Sequence, residues 1–538
     1  MSSKVIAPLR PDLRSDRVSF AWSLRAEWVK FRTVRGWVIA MIVGVLLTAL
    51  LGIFAAGNVN IGCQSGPNGP VLTGKACTPR YPIGPGGEAV VDSYYFAGQP
   101  LSGNGSITVR VTSLTGLHGG GNAQATGQSP LAGMSKGVVP WAKAGLILSS
   151  STKPGAAYAA MMVTGAHGVR MEYDFTHDSA GLPGSVTAAS PRWLRLTRNG
   201  DGIAGYDSAD GRHWTLVGTA QLGGLPATVQ AGMFVTSPVY TVTTAGVLGS
   251  SGQSGPSQAT AVFDDIGLRS SGPGKAWTGR NVGTGPAAPG TGFGYVRRSG
   301  ATFTVSGSGD IAPLVAGPGA GGPTSTFEQP LVGLFVGLIA VLVVAAMFVT
   351  VEYRRGLIRT TLAANPQRGR VLAAKAVVAG TVAFAVGLVA AILAISIGLP
   401  RQRNQGSYIL PVSALTEVRV IVGAAAMVAL AAVLAVAIGA MVRRSAAAVT
   451  AAIVAIVLPF LLAVTVLPAS AGAWLLRITP AAGFAIEQSI PSYAQVTTVF
   501  SPAQGNYPLS PWAGFAVLCA WVVVALAGAY VLLRRRDA

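Results

Sequence analysis

The sequence predicts an α-helical polytopic membrane protein that carries one large all-β insertion. Three observations predict it. Six long runs contain no Asp, Glu, Lys, Arg or His: Trp37–Ala56, Leu331–Val351, Ala376–Leu399, Val420–Val442, Ala446–Leu467 and Trp512–Leu533. Each has about the 20 residues that a helix needs to cross the hydrocarbon core. Only structures that satisfy every backbone N–H and C=O internally can span lipid, so each run is expected to be a transmembrane helix. The basic residues gather beside alternate ends of these runs, and residues 57–330 change to the short-strand patterning of a β domain.

Charge placement sets the orientation and excludes a function class. The chain has 538 residues, of which 50 % are hydrophobic and 11 % charged, which is not the composition of a disordered protein. A net charge of +20 would suit a nucleic-acid binder, but residues 58–329 hold 16 basic and 12 acidic residues, a net of only +4. Nineteen of the other basic residues lie in 1–36, 352–375, 443–444 and 534–536, whereas only Arg401, Arg403, Arg419 and Arg477 lie in the alternate connections. A Lys/Arg excess marks cytoplasmic flanks. Both termini are therefore expected in the cytoplasm, residues 57–330 outside the cell, and the basic flanks against anionic headgroups of the plasma membrane. No nucleic-acid partner is expected.

Taken in order, residues 1–17 read as a flexible N-terminus. Residues 18–36 read as an interfacial amphipathic helix, because Phe20, Leu24, Trp28 and Phe31 recur at helical spacing while Arg25, Lys30 and Arg32 fall elsewhere. The first run (37–56) is too long for a signal-peptide core and is expected to act as an uncleaved anchor. Cys63 and Cys77 follow it on the external side, where an oxidising compartment permits a disulfide that would close a loop of about 15 residues, worth roughly 3 kcal/mol. Cys519 lies in the last run and reads as a packing residue.

The external domain (57–329, core about 88–310) offers strands at Ser106–Leu114, Ala142–Ser149, Ala157–Gly165, Val169–Phe175, Trp193–Thr197, Gly202–Tyr206, Trp214–Thr219, Thr228–Thr236 and Thr260–Ile266. Asn199-Gly200 and Asp210-Gly211 are strong hairpin turns, since glycine accepts positive φ. Residues 249–258 and 270–293 read as loops or linkers, and Tyr295–Ser306 as one or two further strands. Residues 57–62 and 315–327 are expected to tether the domain. Many short strands at regular spacing argue for a two-sheet sandwich. The remaining helices (331–351, 376–399, 420–442, 446–467 and 512–533) make up a membrane unit over 330–538. Its external 468–511 segment is rich in proline, and Pro459 lies inside the fifth run.

Motifs for catalysis are weak. Gly69–Lys75 has phosphate-loop spacing, but Ala76 stands where a Mg²⁺-holding hydroxyl is needed, and the segment lies outside with no strand before it. Leu101–Gly105 resembles an ATPase signature loop and is external too. The four histidines show no metal-ligand spacing, and no metal or bound cofactor is expected. Asp207 and Asp210 are most simply turn residues, with Trp214 close by. The alternative is a glycan or Ca²⁺ site at Asp207, Asp210 and Trp214. The apolar runs hold no ionisable residue, whereas ion-coupled carriers bury carboxylates or histidines there, so energy is expected from elsewhere.

The segment after the second run, Glu352-Tyr353-Arg354-Arg355-Gly356-Leu357-Ile358-Arg359-Thr360-Thr361-Leu362-Ala363-Ala364-Asn365-Pro366, reads as a short amphipathic helix ended by Asn365-Pro366. With its continuation to Val378 it resembles the first intracellular loop of type-2 ABC exporter permeases of actinobacteria. "LRAEWVKFRTVRGW" resembles their N-terminal interfacial helix, and "LLRRRDA" their C-terminus. The resemblance covers about 1–57 and 328–538. It implies a permease subunit without its own ATP site, driven by a separate cytoplasmic ABC ATPase that uses the ATP, and paired with a second copy or a paralogue. Glu352, Arg354, Arg355, Leu357, Ile358, Arg359 and Leu362, within the 352–370 loop, would couple to the ATPase. The chain departs from that family in the size of its insertion. "WAKAGLILSSS", "WLRLTRNGDGIAGYDSADGRHWTLVGT", "QAGMFVTS" and "ATAVFDDIGL" are similar to concanavalin-like jelly-roll sandwiches, which implies a lectin-like external domain and cell-wall glycan as a partner. A membrane-anchored glycan-binding or sensory protein, or a membrane-bound glycosidase, is the alternative.

Overall fold

The computed structural model describes residues 20–57, 62–64, 71–119, 134–246, 249–270, 276–283, 294–316, 324–364, 367–496, 502 and 505–535. The expected flexible N-terminus (1–17), Asn365-Pro366 and Arg536 lie outside the described residues. Among the described residues, six helices are long and apolar enough to cross a membrane. They are α2 (Arg35–Gly57), α3 (Leu334–Arg354), α5 (Arg368–Asn404), α6 (Ala414–Val442), α7 (Ser445–Thr465) and α9 (Pro511–Arg535), and shorter helices α1 (Phe20–Thr33), α4 (Leu357–Ala364) and α8 (Ala469–Ile478) join them. A β-sandwich stands between α2 and α3.

The bundle is built on small residues. In lipid, helices gain by close packing rather than by expelling water, so glycine and alanine gather at the contacts. Gly387 of α5 lies against the backbone of Ala425 and the side chain of Val428 of α6, and Gly44 of α2 against Gly337 of α3. Ala424, Ala431, Ala435 and Ala346 are fully buried between them. In α3 and α6, 61 % of the most apolar window is buried, against 28 % in α2 and α9. The first pair is thus central and the second peripheral. α5 has 37 residues, about 55 Å at helical rise, so it outruns a 30 Å core and carries its charges beyond the apolar zone at both ends. Exposed Trp22 and Trp28 at one end and Trp474 and Trp512 at the other suit the headgroup belts that aromatic residues favour.

The proline-rich 468–511 segment is more ordered than its composition suggested. After α8 it forms a 3-10 turn, Pro480–Glu487, all eight residues of which are buried. Gly423 of α6 and Gly514 of α9 leave room for its Ile486 and its Ala482 carbonyl. The chain thus folds back into the end of the bundle.

The sandwich has a seven-stranded and an eight-stranded sheet, antiparallel throughout. The seven run in the order His177–Ala180, Val169–Tyr173, Tyr158–Thr164, Lys143–Ser149, Thr228–Thr236, Tyr94–Ser102 and Thr278–Val282. In the eight, Gly105–His118 and Ser257–Ser270 pair at the centre. Gly200 takes φ 61° in the Asn199-Gly200 hairpin, as the sequence required. Val109, Leu146, Met161, Leu194, Met233 and Phe263 fill the space between the sheets. The seven-stranded sheet is buried on its other face too, where Phe96, Ile147, Tyr158, Met162 and Phe234 lie under a ribbon of Val90–Asp92 and Ile311–Pro313. Burial on both faces erases alternation, and every residue of Lys143–Ser149 and Tyr158–Thr164 is buried.

Three readings of the insertion are corrected. Gly249–Gly255 is not a loop but pairs with Tyr240–Gly246. Thr278–Val282, inside the supposed 270–293 linker, is the edge strand of the seven-stranded sheet. Tyr94–Ser102 was missed because Gly98 and Pro100 interrupt it. That edge strand pairs only Tyr94–Gly98, so Pro100 has one open side where a missing N–H is tolerated. Cys63 and Cys77 form a disulfide.

Described residues on both sides of the exit tie the sandwich to the bundle. Thr324–Ser325 pairs in parallel with Tyr408–Ile409 from the α5–α6 connection. Tyr81 packs edge-on against Tyr408 at 4.8 Å, Leu410 is buried against Tyr81, Ala89 and Leu314, and Gln495 donates to the Phe175 carbonyl at 2.8 Å.

Candidate functional site

At the end of the bundle away from the sandwich, four ionisable side chains meet in a nearly closed cluster. Glu27 comes from α1, Glu352 from the last turn of α3 and Lys375 from the second turn of α5. Lys375 is 2 % exposed and bridges both carboxylates, with Nζ 2.7 Å from Glu27 Oε2 and 2.7 Å from Glu352 Oε1. Lys30, one turn beyond Glu27, closes the square at 2.7 Å from Glu27 Oε1 and 3.0 Å from Glu352 Oε1. It also reaches Thr361 Oγ1 of α4 at 3.5 Å. Half-burial works against the Lys30 charge, but the two carboxylates outweigh it and hold its ammonium above the ordinary lysine range.

Aromatic packing fixes the same joint. Phe31 of α1, Trp37 of α2 and Phe348 of α3 have ring centroids 5.4–5.8 Å apart. Lys375 Nζ lies 4.6 Å over Phe348. Four elements are therefore tied at one point: α1, α3, α5 and, through Lys30, α4. An unpaired buried charge costs several kcal/mol, so moving one element of such a joint alone is expensive.

The residues expected to couple to an ATPase divide between this joint and the surface. Glu352 is buried in it and is not presented to a docking partner. Ile358 is buried and Leu362 half-buried, whereas Arg354, Arg355, Leu357 and Arg359 are exposed. α4 itself forms over Leu357–Ala364, with Ile358 and Leu362 toward the bundle and Leu357 and its one arginine, Arg359, outward. The α1 reading is corrected in one respect. Leu24, Glu27 and Phe31 face the bundle, while Phe20, Trp22 and Trp28 are exposed. Sequence reasoning missed Glu27, Lys30 and Lys375 as a set. Glu27 carried a signal, an acid three residues after Leu24 and four before Phe31 on an apolar stripe.

A second buried group of ionisable residues lies at the sandwich end. Glu328, just before α3, and Glu487, at the end of the 3-10 turn, are 6 % and 7 % exposed. Among the described residues neither Glu328 oxygen has a hydrogen-bond partner of normal geometry, although Ser489 and Thr326 lie beside it, and Glu487 Oε1 has none. Burial, then repulsion from Glu328, pushes the Glu487 carboxyl up to about 8. Burial raises Glu328 as well. Tyr507 is buried beside both, and Arg419 of α6 donates to the Gln488 carbonyl at 2.6 Å.

The proposed glycan or Ca²⁺ residues are occupied within the fold. Asp207 is 1 % exposed and accepts from the Leu182 N–H at 2.6 Å. Asp210 accepts from the Arg212 and His213 N–H groups at 2.8 and 2.9 Å and from the Ser208 hydroxyl at 3.0 Å, closing its turn. Trp214 carries the Arg195 guanidinium at 3.8 Å. No group of three or more His, Cys, Asp or Glu side chains is placed to hold a metal ion among the described residues.

No protein-family model matches the chain, and no curated protein matches it. Solved structures match about 40 % of it. A functionally unknown protein from Saccharomyces cerevisiae matches over 90 % of its own length at 16 % identity, with a TM-score of 0.21. Two crystal structures of scytalido-glutamic peptidase, one with a transition state analog inhibitor and one with a peptide based transition state analog, match over 98 % at 9 % identity, with TM-scores of 0.25 and 0.24. Likeness at these scores carries no inference about activity.

Proposed function

We propose that this chain is the membrane subunit of an ATP-driven exporter of the type-2 ABC kind, with both termini in the cytoplasm and the sandwich outside the cell. The observation that carries the reading is the joint of Glu27, Lys30, Glu352 and Lys375. It connects a short helix with exposed basic residues to the ends of two long apolar helices. An ATPase that docks on Arg354, Arg355, Leu357 and Arg359 would push α4, and the joint would pass that displacement to α3 and α5. The basic flanks favour this end as the cytoplasmic one. The partners are a cytoplasmic ATPase and a second copy or paralogue, whose contact the lipid-facing sides of the peripheral helices would supply.

The test separates docking from transmission. The full-length chain, purified from native membranes in mild detergent, should bring down an ATPase subunit. Charge reversal at Arg354, Arg355 and Arg359 together should release that subunit. Lys375→Met should retain it and lose the stimulation of ATP hydrolysis by the permease. Absence of any ATPase after crosslinking in intact cells would overturn the proposal.

A further inference from the structure

The sandwich holds a third group of ionisable residues that transport does not need. It sits on the outer face of the seven-stranded sheet, beneath the Val90–Asp92 and Ile311–Pro313 ribbon. Lys143 opens a central strand, Glu172 lies two strands away, and Asp310 arrives with the ribbon. The Lys143 and Glu172 side chains are 0 % exposed and that of Asp310 is 17 % exposed. Lys143 Nζ stands 3.0 Å from Glu172 Oε2 and 3.4 Å from Asp310 Oδ1, and it donates to the Ile311 carbonyl at 2.6 Å. The Ile311 N–H donates to Asp310 Oδ1 at 2.8 Å. Tyr158, Ile147 and Phe175 wall the group with apolar surface.

This is the arrangement that amide formation requires: a pinned amine, a carboxyl in reach, a second buried carboxyl on the same amine to carry protons, and little water. We propose that the folded sandwich joins Lys143 to Asp310 through an intramolecular amide bond, with Glu172 as the acid–base residue.

The step balances without a co-reactant. Burial raises both the Asp310 and the Glu172 carboxyl, which makes a neutral acid easier to hold here than in water, and the step starts from a protonated Asp310 beside a Lys143–Glu172 ion pair. Burial opposes the Lys143 charge, but the two acids outweigh it and keep the ammonium, so its proton must first pass to Glu172. The freed Nζ lone pair then attacks Asp310 Cγ. Negative charge develops on Oδ1, where the Ile311 N–H already donates, as an oxyanion site requires. Glu172 gives its proton to the leaving Oδ2 hydroxyl and takes one from Nζ. The Cγ–Oδ2 bond breaks, the Nζ–Cγ bond remains, and one amine and one carboxylic acid have become one amide and one water. Nothing is oxidised or reduced, and Glu172, a carboxylate in the starting ion pair, ends carrying the one proton left over from the ammonium. Enforced proximity supplies much of the barrier lowering, since reacting groups held about 3–3.5 Å apart behave as if very concentrated. The bond would staple the last segment of the sandwich, on its way to α3, to the middle of the sheet.

Mass spectrometry of the full-length chain decides the matter, with no need of an ATPase. The purified protein, reduced and digested, should yield a branched peptide joining the Lys143 and Asp310 segments, lighter than the two linear peptides together by one water. Asp310→Asn should give the same branched product, with loss of ammonia instead. Glu172→Gln keeps both reacting residues and should give only linear peptides. Should that variant fail to fold, the wild-type peptides still decide. Complete recovery of linear Lys143 and Asp310 peptides from the folded wild type would overturn the proposal, and a branched Glu172→Gln product would overturn the role of Glu172.

Discussion

The two ends of the bundle bury the same kind of residue and treat it in opposite ways. Away from the sandwich, Glu27 and Glu352 share Lys375 and Lys30, so two negative charges meet two positive ones. Beneath the sandwich, Glu328 and Glu487 face each other with no ammonium between them, and three of their four oxygens lack a hydrogen bond of normal geometry among the described residues, with Ser489 and Thr326 beside Glu328. A paired cluster is rigid as long as every member stays. An unpaired one is dry and comfortable only when protonated. The first resists mutation poorly and pH well, and the second does the reverse.

The largest effect expected from this contrast is at Lys375. Lys375→Met removes the cation shared by two buried carboxylates and should cost about 3–5 kcal/mol. The measurement is thermal unfolding of the full-length chain in detergent. Adding Glu352→Gln removes the stranded charge and should restore part of the loss, because the two changes share one partner. An unfolding temperature unchanged by Lys375→Met would mean that the square is not a joint at all.

The next effect is one of pH, at the other end. Glu487 sits at about 8 in the folded chain, against about 4.3 for a free glutamate. The folded state binds the proton more tightly, so its stability is full below the free value and is lost as pH rises through about 8. Glu328 shifts the same way, Tyr507 stays neutral, and Arg419 stays charged. Asp92 in the sandwich, raised to about 7 by burial against the Gly155 N–H bond, loses stability in the same direction, so the difference between variant and wild type is the quantity to read. Glu487→Gln should be near neutral at pH 5 and more stable than wild type at pH 9, by roughly 2–4 kcal/mol at ~1.4 kcal/mol per pK unit. Parallel pH–stability curves for the two proteins would dissolve the contrast between the ends.

What the sequence made legible follows the same physics. Long charge-free runs carry a strong signal for apolar helices, so the six helices long and apolar enough to span a membrane among the described residues were all readable, with ends set a few residues wide where α5 outruns its apolar stretch. Strands with one wet face, such as Arg192–Asn199 and Gly202–Ser208, alternate and were readable too. Strands buried on both faces, interrupted by glycine and proline like Tyr94–Ser102, were not. The short helix α4 was legible from Leu357, Ile358 and Leu362, but the square behind it was not. Its members are 348 residues apart in the chain from Glu27 to Lys375. Nothing local distinguishes Lys375 from the other basic flanks that mark orientation. Lys143, Glu172 and Asp310 were hidden for the same reason, since only the sheet register brings them together.

The smallest effect tests the boundary of the joint. Glu352 and Arg354 are two residues apart at the end of α3, yet one is buried and the other exposed. On a helix such a spacing turns the side chains to different faces. Glu352→Gln should lower the unfolding temperature, because it weakens two ammonium contacts at once. Arg354→Ala, and Arg355→Ala beside it, should leave that temperature unchanged, as substitutions at exposed positions usually do. If those arginines serve a partner, their loss should be felt only in the assembled complex, as weaker retention of the ATPase on dilution. An Arg354→Ala variant that unfolded as early as Glu352→Gln would place the arginine inside the joint and leave α4 without a free docking face.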